Sequence, residues 1–108
     1  MAPDSDRSPA VEVTAVDALD ETPHAEVFDV RDPRTVRLSL AAGDSVPRHQ
    51  HPDSMVVLYV LDGELELTLG DDQYDLAAGD AVRFDGAQDV SPHAVADARA
   101  LVVFAPKP

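Results

Sequence analysis

From Ala25 onward, apolar and polar residues alternate with a period of two over most of the chain. Side chains on extended backbone point to opposite faces in turn, so this pattern marks half-buried strands. Ala25-Glu-Val-Phe-Asp-Val30 alternates and stops at Asp32-Pro33. Thr35-Val36-Arg-Leu38-Ser-Leu40 puts Val36, Leu38 and Leu40 on one face and Arg37 and Ser39 on the other. Leu65, Leu67 and Leu69 oppose Glu64, Glu66 and Thr68 in the same way. Met55-Val-Val-Leu-Tyr-Val-Leu61 is apolar on both faces, which suits a central strand covered on each side, or one that faces both a barrel interior and a partner subunit. Val11-Glu-Val-Thr-Ala-Val16 reads as one further short strand.

Turn formers separate these runs: Ala42-Gly43-Asp44, Asp62-Gly63, Gly70-Asp71-Asp72, Ala78-Gly79-Asp80 and Asp85-Gly86. No segment carries a sustained helical stripe. Many short strands at this spacing predict an all-β, antiparallel sandwich or small barrel. Residues 1–10, rich in Pro, Ser and Asp, read as a disordered arm; 11–33 as N-terminal strands packing on the barrel; and 34–108 as the barrel itself.

With 108 residues there is room for one core and not two. Acids outnumber bases 21 to 8, Lys107 is the only lysine, and the net charge is −13. Such a surface repels phosphate backbones and anionic lipid, so neither nucleic acid nor membrane is expected as a partner. The 44% hydrophobic content, arranged in alternating blocks, argues against wholesale disorder. Asp-rich, Lys-poor surfaces of this kind resemble those of halophilic, salt-accumulating organisms, where screening makes acidity tolerable. No apolar run reaches spanning length and Met1-Ala-Pro-Asp-Ser-Asp lacks a signal-peptide layout, so a cytoplasmic location is expected. The absence of cysteine leaves histidines, carboxylates and hydroxyls as the reactive groups.

Among these, His49 and His51 stand out. Two imidazoles one residue apart on an extended segment share a face and can grip one ion. The serines sit in no Gly-x-Ser-x-Gly elbow, and there is no phosphate-binding glycine loop or DNA-reading helix.

The spacing Gly43-x5-His49-x-His51-x4-Val56-x6-Gly63 resembles the first motif of the cupins, in which the slot of Val56 is a glutamate ligand. Gly79-x5-Asp85-x-Ala87-x2-Val90 resembles the second motif, with Val90 in the slot of the third histidine. The chain is thus similar to small single-domain cupins of the conserved-barrel type over about residues 34–105. That implies a jelly-roll barrel, also called a double-stranded β-helix or RmlC-like fold, and often a dimer. A gapped placement instead aligns Pro92-His93-Ala-Val95 with the second motif and makes His93 the third ligand. The ungapped one is favoured, because it needs neither an insertion nor a deletion, and His93 stays a candidate.

Two imidazoles facing two valines make a poor trap for a divalent ion unless His93, Asp53, Asp85 or Asp89 joins them. The expected function is therefore a small-molecule site in a largely apolar pocket lined by Val56, Leu58, Val60, Val82 and Val90, with His49 and His51 at its polar end, weak or no metal binding and no catalysis. The alternative is an oxygenase or isomerase using iron, manganese, zinc or nickel on His49, His51 and His93, and a third reading is a ligand-free structural dimer. His24 reads as a surface or strand-capping residue, Tyr59 and Phe84 as packing residues, and Arg48 as the partner of a neighbouring carboxylate in preference to an anion site at the barrel mouth.

Overall fold

The computed structural model describes residues 11–30 and 32–108; the arm expected over 1–10 lies outside the described residues. Among the described residues eight strands follow one another: β1 (His24–Glu26), β2 (Arg34–Leu40), β3 (Ser54–Asp62), β4 (Glu64–Leu69), β5 (Asp72–Ala77), β6 (Ala81–Asp85), β7 (Val90–Ala94) and β8 (Ala98–Pro106). They form a five-stranded sheet in the order β1-β2-β8-β3-β6 and a three-stranded sheet in the order β5-β4-β7. All the pairings are antiparallel. The fold is an all-β jelly roll, as the strand pattern and the motif spacing imply.

The alternation seen in the sequence is what closes the two sheets on each other. Leu65, Leu67 and Leu69 of β4 turn inward and are buried, as are Val56, Leu58 and Val60 of β3 and Leu38 and Leu40 of β2. Each such side chain contributes roughly 1.5–3 kcal/mol through burial, and nearly all of them meet in one cluster. β3 takes the central place its two-sided apolar pattern calls for, between β8 and β6. Its outer residues Val57 and Tyr59 remain about 40% exposed, at 41% and 42%.

The N-terminal segment departs from expectation. Val11–Val16 forms no strand: Val11 and Val13 are exposed, and a 3-10 turn follows at Val16–Ala18. Thr14 Oγ1 donates to the carbonyl of Val27 at 2.7 Å and the amide of Asp29 to Glu12 at 3.0 Å, while the residues that follow are held by Arg37, on the outer face of β2. Its Nη1 donates to the carbonyl of Val16 at 3.4 Å and its Nη2 to those of Leu19 and Glu21 at 3.3 and 2.9 Å. A buried guanidinium takes up three carbonyls that strand pairing would otherwise have satisfied. Alternation over 11–16 therefore marked no strand: the segment is tied by side-chain hydrogen bonds and not by a main-chain ladder.

Candidate functional site

The loop that carries His49 and His51 is fixed by main-chain bonds to the turn between β6 and β7. The amide of His49 donates to the carbonyl of Val90 at 3.1 Å, and the amide of Val90 returns a bond to His49 at 2.8 Å. The amide of His51 donates to the carbonyl of Gly86 at 2.6 Å, and that of Gly86 to Ser54 at 2.9 Å. A Cβ on Gly86 would collide with the backbone of His51 and Ser54, so only glycine lets these two segments approach so closely. The two halves of the motif are thereby laced together, and Val90 is placed beside His49.

The imidazole rings of His49 and His51 sit 4.9 Å apart, edge to face, and His51 also packs edgewise on Phe104 at 4.7 Å. Nδ1 of His49 lies 2.9 Å from the carbonyl of Pro47. A carbonyl only accepts, so a proton is on Nδ1, and in the neutral ring Nε2 carries the lone pair.

Both rings line a cavity of about 470 Å³ that opens between the sheets. Its inner wall is apolar: Leu38, Val56, Leu58, Phe84 and Val90 are all buried. Its outer rim is made of His24, Arg34, Arg48, His49 and His51, all of them partly or fully exposed. Burial, then the nearby charges of His49 and Arg34, hold the imidazoles of His24 and His51 below their ordinary pKa; Glu26 partly offsets this for His24.

Of the residues expected at the pocket, Val56, Leu58 and Val90 line it, whereas Val60 and Val82 do not: Val60 is sealed in the core and Val82 packs against it. His93, the third histidine of the alternative gapped placement, is not among the residues that line the cavity. It lies three residues from Val90, an odd offset on an extended strand, and so faces away from buried Val90 and Pro92. There it pairs across the sheet with Glu66 and hydrogen-bonds to Ser45. Asp85 is held by Lys107 at 2.6 Å, which lowers its pKa, and Asp89 by Gln50 at 2.8 Å and Arg48 at 3.6 Å. Asp53 is exposed in the loop before β3. Among the described residues no three histidines or carboxylates are grouped to share an ion. The donor set therefore does not fit a tightly held metal.

His24 is the residue sequence reasoning missed. No motif contains it, but it pairs with Leu38 across β1 and β2, and that register delivers it to the cavity rim. A larger, more polar hollow of about 580 Å³ lies near Asp44, Asp62 and Asp97. Its one base, Arg99, is already engaged by Asp17 and Asp62.

Comparison with solved structures gives the same architecture. The KdgF protein of Halomonas sp. superposes with a TM-score of 0.76 at 22% identity, covering 90% of this chain and 96% of that one. The TT1209 protein of Thermus thermophilus gives 0.76 at 26% identity, covering 91% and 100%. The cupin domain of Schizosaccharomyces pombe Cnp3 gives 0.77 at 12% identity, covering 86% and 68%. In sequence, 45 residues are 49% identical to a quercetin 2,3-dioxygenase of Bacillus subtilis, a match that spans 42% of this chain and only 13% of that enzyme. The family profile for the cupin domain matches residues 36–104, every strand that bounds the cavity except β1, and the chain belongs to that family.

Proposed function

We propose that this cupin is a binding protein whose barrel cavity holds a small organic molecule, with weak metal affinity and no catalysis of its own. The observation that carries this reading is the pair Val56 and Val90 on the cavity wall beside His49 and His51. Valine donates no lone pair and offsets no positive charge, so an ion at this point has two imidazoles where catalytic sites ordinarily supply about three protein ligands. The same two valines extend the apolar wall. A cavity of about 470 Å³ with a polar rim has the size and character of a small-molecule site.

A metal-dependent reading, of oxygenase or isomerase type, draws on the tautomer of His49, whose free Nε2 and carbonyl-bound Nδ1 match the way ligating histidines are commonly oriented. The partial match to a dioxygenase points the same way. Elemental analysis of untagged protein purified without chelator decides between them. The proposal expects well under one metal per chain and a thermal shift with small organic molecules; a ligand at 100 times its dissociation constant adds about 2.7 kcal/mol. Stoichiometric iron, manganese, zinc or nickel that disappears in His49→Ala would establish the metal-dependent reading instead.

A further inference from the structure

In a chain with 21 acids and 8 bases, no acid lines the cavity among the described residues. Every ionisable side chain on its wall is a base: Arg34, Arg48, His24, His49 and His51. Three of the four histidines of the chain converge on this one rim. Chance placement on so acidic a surface would bring carboxylates to the rim first.

The carboxylates nearest this rim hold the guanidinium groups from the side. Arg34 donates from Nε and Nη2 to the same oxygen of Glu26, Oε2, at 3.1 and 2.7 Å, and from Nε also to Oε1 at 3.3 Å. Its Cζ stands 5.0 Å from the centre of the Phe104 ring, and His51 packs on that same ring. Arg34 lines the cavity with part of its side chain exposed. Arg48 is held by the carbonyl of Gly70 at 3.2 Å and by Asp89. The rim thus offers oriented N–H donors and partial positive charge at the edge of an apolar hollow.

Resting on the small-molecule reading above, we propose that the ligand is an organic monocarboxylate: an apolar body against Val56, Leu58, Phe84 and Val90, and a carboxylate at the rim on Arg34 and His24. A neutral molecule of the same shape fills the hollow but leaves the rim donors poorly matched. A bare inorganic anion meets the donors but leaves the apolar wall empty.

Titration calorimetry on chelator-treated protein at low salt, with benzoate and hexanoate against benzamide and hexanamide, separates these cases. The acids are expected to bind at least tenfold more tightly than their amides. Arg34→Gln and His24→Asp, the latter at an exposed position, are each expected to abolish the preference for the acids over their amides. Equal binding of acids and amides overturns the inference while leaving the small-molecule reading intact. A preference that survives both substitutions, one that needs added metal, or one matched by inorganic phosphate also overturns it. No binding by either series sinks the inference and the small-molecule reading together.

Discussion

At the scale of single residues, Val56 and Val90 decide the chemistry. Both stand on the cavity wall with the imidazole pair, and Val90 exchanges backbone hydrogen bonds with His49. Restoring ligands at both positions, Val56→Glu with Val90→His, is expected to raise affinity for zinc or nickel by at least a hundredfold, read by calorimetry against the parent chain. A double variant that folds and gains nothing would show that the rings do not converge on a common point. Acid sensitivity belongs to this scale too. His24 and His51 titrate below the ordinary imidazole value of about 6.5, chiefly through burial. Where the folded pKa is the lower one, the unfolded chain binds more protons between the two values, so stability is complete above about 6.5 and falls as pH drops through the folded pKa. The melting temperature is expected to decline over that interval, and His24→Gln with His51→Gln to flatten the decline. An unchanged slope would remove these imidazoles from the pH dependence.

At the scale of elements, the tight turns carry the register. Gly63, between β3 and β4, has a φ of 79°, and a Cβ there would run into the backbone of Asp97 and Ala98. Gly79 has a similar φ of 94° but open space around it. Gly63→Ala should therefore cost well over about 1 kcal/mol and clearly more than Gly79→Ala, as read from urea denaturation. Equal costs would mean that strain alone matters and the contact does not. Glycines at turns, alternating leucines in β4 and the two-sided β3 were legible because their signals are local: a turn needs its residue type, and a strand face needs its period. The failures were those of long-range placement. Alternation at 11–16 was met by side-chain hydrogen bonds and not by a strand partner, and His24 reached the rim only through its pairing with Leu38. His93 stayed a candidate only through the gapped placement, and its odd offset from Val90 sets it on the other face.

At the scale of the whole molecule, charge sets the working conditions. A net charge of −13 is spread over one small domain, and the described ion pairs draw on Arg34, Arg48, Arg99 and Lys107 alone. Most acids have no base to meet, so their mutual repulsion opposes the compact state. Raising KCl from about 0.05 M to about 1 M, where the Debye length shrinks to about 3 Å, is expected to raise the melting temperature. A fall instead would mean that the surface ion pairs outweigh the repulsion.

The lacing of the His49–His51 loop to the backbone of Val90 and Gly86 has one more consequence. Because peptide groups fix the backbone that carries the two rings, that backbone lattice makes no use of the side chains at positions 56 and 90. Lineages could trade an ion for an oily wall, or recover it, through a pair of codon changes, without disturbing the scaffold that holds the rings.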